Sequence, residues 1–361
     1  MIYLEKNVLE ASKERISMVF DEFENIYVSV SGGKDSTVLY QLALNEAVKR
    51  GRKINLFFLD QEVEYESTIN LMRTMMSHPK VNPLWYQVPL YLTNATSYSN
   101  EFLCAWGEGE EWIRPKEDIS IHSIDGDYPK RFYLFFDWFE QQQPEGSAFL
   151  IGIRAAESLN RFRAVTRNPG YKDIKWSTKT AKKNSFRFHS LYDWGTGDIW
   201  KYIDEHDVPY NTIYDKMFAN NYSIYNTTMR VSNLVHEKSY SCLTDLQALE
   251  PETYEKVVKR LPSTHCAAKY AKEPTIYSSD KRPEAFKTWK EYRDYLLETA
   301  PISKQRKDRF VKRFDGQPQD EYTYRQQCKQ VLINDWENNI PINIRKRKKV
   351  ADKLARWREI L

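Results

Sequence analysis

The stretch Val28-Ser-Val-Ser-Gly-Gly-Lys-Asp-Ser-Thr-Val-Leu-Tyr40 decides how this chain is read. Ile26–Val30 is a short β-branched run, the pattern of a buried strand. Beyond it, Val38, Leu39, Leu42 and Ala43 share one face of a helix spanning Ser36–Lys49. Two adjacent glycines, Gly32 and Gly33, stand at the turn between them. Lacking Cβ, they can take positive φ and let backbone N–H groups approach an anion, which the helix N-terminus also favours. Lys34 adds a point charge, so the segment reads as an anion cradle.

Working outward, strands and helices alternate. A helix is expected over 2–23, strands over Ile54–Leu59, Leu84–Val88 and Ala148–Ile153, and helices over Thr68–Met76 and Tyr128–Gln143. That alternation predicts an α/β fold with a doubly wound parallel sheet and its ligand at the carboxyl ends of the strands. Two insertions interrupt it, Thr93–Asp127 and Arg167–Ser185, each a lid or a surface excursion. After residue 235 the pattern is helical. The expected division is therefore 1–235, nucleotide-binding, and 236–361, a helical C-terminal region.

The 361 residues are 41% hydrophobic and 29% charged, a balance that suits a folded chain and excludes a disordered one. No apolar run approaches the roughly 20 residues that span a bilayer, and the first residues lack a signal-peptide core, so no membrane and a cytoplasmic location are expected. Cys104, Cys242, Cys266 and Cys328 form no C-x-x-C pair, so neither a zinc ribbon nor an iron–sulfur cluster is expected. The net charge of +4 does not by itself imply nucleic acid.

In the common nucleotide-triphosphatase loop, a hydroxyl residue after the Lys holds magnesium. Here Asp35 follows Lys34, and Val28 stands where that pattern has its first glycine. The string Ser31-Gly-Gly-Lys-Asp-Ser36 instead resembles the pyrophosphate-loop (PP-loop) signature of the ATP α-hydrolase superfamily. The resemblance implies that Ser31, Gly32, Gly33, Lys34, Asp35 and Ser36 grip the β- and γ-phosphates as a unit while chemistry occurs at the α-phosphorus. Asp35 would shape the loop or meet magnesium.

Three further strings resemble the phosphoadenosine phosphosulfate (PAPS) reductase family and the small subunit of bacterial ATP sulfurylase. Leu56–Met72, LFFLDQEVEYESTINLM, places Asp60 at a strand end, where the resemblance implies contact with ribose or metal; Glu62 replaces a glycine of the family pattern, and Glu66 precedes the helix. FLIGIRAAESLNRFRAV supplies Gly152 for close backbone approach, Arg154 for bidentate binding of an oxyanion, Glu157 to orient that guanidinium, and Arg161 on the same helical face. FHSLYDWGTGDIWKYIDEHDVPYNTIYD carries Asp198 near a helix start, and Trp194, either a base-stacking or a buried structural residue. His189 and His206 have no ligand spacing.

The family's catalytic Cys in an E-C-G-x-H context is missing, which implies that sulfonucleotide reduction is absent. Pro283–Pro301, Tyr210–Met217 and Met229–Thr264 resemble the subfamily typified by immunoglobulin-binding regulator A, a co-activator of prophage gene expression. Together these imply an adenylyl-transferring enzyme using ATP or PAPS with Mg2+, with Lys34, Asp35, Arg154 and Arg161 carrying the chemistry. The alternatives are a nucleotide-gated regulator that engages a partner protein, or DNA or RNA through Arg345–Lys349, and a true PAPS reductase.

Overall fold

The computed structural model describes residues 5–93, 102–166, 170–223, 231, 234–235, 243–264, 282–332, 334–336, 338 and 342. Its central feature is a six-stranded sheet built from β1 (Asn25–Ser29), β2 (Ile54–Leu59), β3 (Val81–Tyr86), β6 (Ser147–Ile151), β7 (Ser177–Lys179) and β8 (Phe186–Phe188), in the order β3-β2-β1-β6-β8-β7. All neighbours run parallel except β7, which pairs antiparallel with β8 at the edge. The fold is the expected α/β doubly wound sheet. β4 (Leu90–Thr93) and β5 (Phe102–Ala105) form a separate ribbon.

Alternation along the strands explains why both faces are covered. Ile26, Val28, Leu56, Phe58 and Leu150 point into one core with residues of α1 (Val8–Glu22), α2 (Lys34–Lys49), α3 (Glu66–Met76) and α6 (Thr196–Glu205). The intervening Tyr27, Phe57, Tyr86 and Phe149 meet Phe135 and Phe139 of α4 (Phe132–Gln142) in an aromatic cluster on the other face. Burying one such side chain contributes about 1.5–3 kcal/mol, so strands apolar on both faces are held in the middle of the sheet.

Register then sets the site. Ser29 lies beside Phe57 on one flank and Ile151 on the other, so β1 and β6 end level. The chain leaves β1 with β2 on one side and β6 on the other, a topological switch point, the place where open α/β sheets bind their ligands at the carboxyl ends of the strands.

Two expectations about the insertions are corrected. Within the second, Ser177–Lys179 is a strand that pairs antiparallel with Phe186–Phe188, which follows the insertion and joins the main sheet against β6; this part is sheet edge rather than lid or excursion. In the first, Ile121 forms a bridge with Tyr86, and Gln87 N donates to Ile121 O, so the segment extends the sheet edge beyond β3.

The chain divides into two compact units, Met1–Tyr91 with Cys104–Asn233, and Leu92–Leu103 with Leu234–Leu361. In the second, α8 (Leu243–Leu249) and α9 (Pro251–Arg260) are followed by α10 (Trp289–Thr299), α11 (Lys304–Asp315) and α12 (Glu321–Leu332). Ile302, Phe310, Phe314 and Val331 form a core there. No helix among the described residues is long and apolar enough to cross a membrane.

Candidate functional site

The loop leaving β1 turns at Gly32, whose φ is +71°. A Cβ on Gly32 would also lie 2.5 Å from Thr68 Cγ2 of α3, so conformation and space both require glycine. Gly33 has φ −83° and serves as the N-cap of α2, leaving the first N–H groups of that helix at the crevice. Ser36 closes the turn: its Oγ donates to Gly33 O at 2.9 Å and accepts from Ser31 N at 3.2 Å. Ser31 Oγ lies 3.3 Å from the Ser36 hydroxyl.

The neighbouring strand delivers the second half. Gly152 follows β6, and a Cβ there would meet Ser36 N and Cα at 3.1 Å, so the two loops touch backbone to backbone. Two residues on, Arg154 is only 3% exposed. Its Nε donates to Asp35 Oδ1 at 2.5 Å, and Asp35 Oδ2 accepts from Lys34 Nζ at 3.1 Å. Arg154 Nη2 reaches Glu157 Oε1 at 3.5 Å, and Glu157 in turn pairs with Arg161. Lys34, Asp35, Arg154, Glu157 and Arg161 therefore form one chain of alternating charge. Arg154 and Arg161 do not face each other across an empty anion site, because a carboxylate lies between them.

Asp60 and Glu62 require a correction. Asp60 is 0% exposed, and its carboxylate accepts from Glu62 N (2.9 Å), Trp85 Nε1 (2.9 Å), Gln87 Nε2 (2.9 Å) and Arg114 Nη2 (2.7 and 2.8 Å). Glu62, with φ +68°, accepts from Trp106 N at 2.8 Å and Ile113 N at 3.3 Å. Both acids staple the first insertion to the end of β2 rather than opening toward a ribose or a metal. Among the described residues no group of three or more His, Cys, Asp or Glu could hold a metal ion. Asp35 is itself held by two cations, so the carboxylates proposed for magnesium do not assemble a protein-held cage.

Nearby Glu64 is buried, and that burial, aided by the charge of Asp60 and opposed by Arg114 and the Gln61 N–H, pushes its carboxyl up to about 8. Burial pushes His189 down to about 4, so it is a neutral packing residue. Trp194 is structural: its Nε1 donates to Ser12 Oγ at 2.8 Å and to Val8 O at 3.2 Å. Asp198 accepts from Gly195 N at 2.7 Å, capping the N-terminus of α6. His206 ends α6 with its ring centroid 4.4 Å from that of Tyr202. In the second unit, burial pushes the Cys328 thiol up to about 12, far from the thiolate a nucleophile requires. Cys242, Cys266 and Arg345–Lys349 lie outside the described residues.

Sequence reasoning missed the residues that brace the loop from α7 (Ile213–Ala219) and the turn before it. Asn211 Nδ2 donates to Gly32 O at 3.0 Å and Thr68 Oγ1 at 2.9 Å, and Lys34 N donates to Tyr214 Oη at 3.1 Å. Both lie in the string PYNTIY, noted for its overall pattern, with no feature to mark these two as loop contacts. Arg114 was missed as well, since its partner lies 54 residues away.

The family profile described as the phosphoadenosine phosphosulfate reductase domain matches residues 25–105 and 140–223, and a domain of unknown function, DUF3440, matches 223–320. The uncharacterized protein YbdN of Escherichia coli is 30% identical over 324 residues, covering 83% of this chain and 77% of its own. Among solved structures, phosphoadenylyl-sulfate reductase from Candida auris aligns with TM-score 0.35 and 14% identity over 64% of this chain and 97% of its own. FMN adenylyltransferase from Candida glabrata, in complex with FMN and an ATP analogue, aligns with TM-score 0.37 and 16% identity over 65% of this chain and 66% of its own.

Proposed function

This chain belongs to one family with YbdN and carries a phosphoadenosine phosphosulfate reductase domain, and on that premise we propose that it binds ATP or PAPS at the Ser31–Ser36 loop and cleaves ATP between its α- and β-phosphates. An oxygen of the acceptor attacks the α-phosphorus, the bond to the bridging oxygen of the β-phosphate breaks, and pyrophosphate leaves with that electron pair. The acceptor emerges adenylylated.

The observation that carries the reading is the level ending of β1 and β6, which sets the Gly32 turn and Arg154 side by side at the switch point. Backbone N–H groups at the start of α2 and the Lys34 ammonium stabilise the charge of the leaving pyrophosphate. Asp35, held between Lys34 and Arg154, fixes both cations before the nucleotide arrives. Arg154 then presents its guanidinium to the α-phosphate or the acceptor oxyanion. Magnesium that accompanies the nucleotide would be held by its phosphates, not by carboxylates of this chain. Reduction of a sulfonucleotide would need a thiolate, which the buried Cys328 does not supply, while Cys242 and Cys266 lie outside the described residues. The nucleotide-gated regulator reading rests on Arg345–Lys349, outside the described residues.

The test is the site of cleavage, followed with ATP labelled at the α- or the γ-phosphorus. The γ label should appear in pyrophosphate, and the α label in AMP or an adenylylated product. Release of the γ label as free phosphate, with ADP, would contradict the proposal. Stoichiometric binding with no cleavage would put the nucleotide-gated regulator in its place.

A further inference from the structure

The first helical N–H of α2 is met by a side chain of this protein. Lys34 N donates to Tyr214 Oη at 3.1 Å, and Tyr214 is only 4% exposed. Its ring packs edge-on against Trp200, with centroids 5.2 Å apart, and the Lys34 ammonium lies 5.9 Å from its centroid. A Cβ added at Gly33 would sit 3.6 Å from the hydroxyl, an ordinary contact distance, so the phenol lies directly against the loop. Asn211 locks the turn leading into α7: Nδ2 donates to Gly32 O at 3.0 Å, while Oδ1 accepts from Ile213 N at 3.1 Å. One turn of chain, Asn211–Tyr214, thus grips the loop at the Gly32 carbonyl and at the Lys34 amide.

A phenol hydroxyl has one proton to donate and two lone pairs. Accepting from Lys34 N uses a lone pair and leaves the O–H proton to be given to another acceptor. Burial pushes the ionisation of Tyr214 upward, with the Asp35 charge acting in the same direction, so the proton is retained at neutral pH.

Resting on the pyrophosphate-loop reading, we propose that Tyr214 is a phosphate-binding residue, its O–H donating to an oxygen of the terminal phosphates while its lone pair holds the Lys34 amide in place. The donor recognises the pyrophosphate part of a nucleotide, not the adenosine. It adds one neutral O–H donor to an anion site whose two nearest cations are already paired with Asp35.

The experiment is calorimetric titration of the full chain with inorganic pyrophosphate and with α,β-methylene ATP, comparing wild type with Tyr214→Phe. Losing a hydrogen bond to a charged acceptor is expected to weaken both ligands about tenfold. Thermal unfolding of the variant should stay cooperative, because Trp200 still packs the ring. Equal affinities in the two proteins would overturn the inference and leave the loop reading standing. A wild-type protein that binds neither ligand would remove both. A Tyr214→Phe protein that no longer unfolds cooperatively would make the hydroxyl structural and overturn the inference.

Discussion

Gly32 and Gly33 are adjacent and look equivalent in the sequence, but they do different work. Only Gly32 occupies the left-handed region and only Gly32 is pressed against Thr68, whereas Gly33 has an ordinary extended conformation and ordinary neighbours. Gly32→Ala should therefore destabilise the fold by about 1–3 kcal/mol in chemical denaturation, and Gly33→Ala by well under about 1 kcal/mol. A Gly33→Ala cost equal to that of Gly32→Ala would contradict this division. Asp60 makes the second residue-scale case. Removing its carboxylate strands a buried Arg114 guanidinium, so Asp60→Ala should cost about 3–5 kcal/mol, with the nucleotide affinity of the folded protein unchanged. Lost affinity at unchanged stability would return Asp60 to a ligand-binding role.

Among elements, the long periodic ones were legible. β2 over Ile54–Leu59 has the expected bounds, and α2 begins at Lys34, two residues before the expected Ser36. The strands within and just after the second insertion were not, because Ser177–Lys179 and Phe186–Phe188 have three residues each, too few to show a period. Phe186 and Phe188 become strand residues only because β6 offers an open edge, a tertiary cause invisible in the local sequence. The turn after β2 supplies a prediction of its own. Glu64 in the folded protein keeps its proton up to about 8, while the unfolded chain releases it above an ordinary 4.5. Within that window the unfolded state binds fewer protons, so stability falls as pH rises, by up to roughly 1.4 kcal/mol per pH unit. This contribution is fully present below the unfolded value and is lost above the folded one. Urea denaturation across the window should show the slope in wild type and a flatter profile in Glu64→Gln; identical profiles would place the Glu64 carboxyl in solvent.

For the whole molecule, the parallel sheet followed from alternating elements, and the glycine turn between β1 and α2 followed from one short string. What the sequence did not reveal are partners that only folding brings together: Arg114 with Asp60, Asn211 with Gly32, Tyr214 with Lys34. Arg114 lies between the two segments, 25–105 and 140–223, that the reductase-domain profile matches, so a resemblance to that family could not have found it. The central claim is that Ser31–Ser36 holds the phosphates of an adenine nucleotide. Its most direct test is calorimetric titration with α,β-methylene ATP of wild type, Lys34→Ala and Gly33→Val. Wild type should bind one equivalent, and both variants should unfold cooperatively yet bind at least about a hundredfold more weakly, the loss of about 2.7 kcal/mol expected when a phosphate loses a cation or its backbone cradle. Wild-type affinity in both variants would contradict the account.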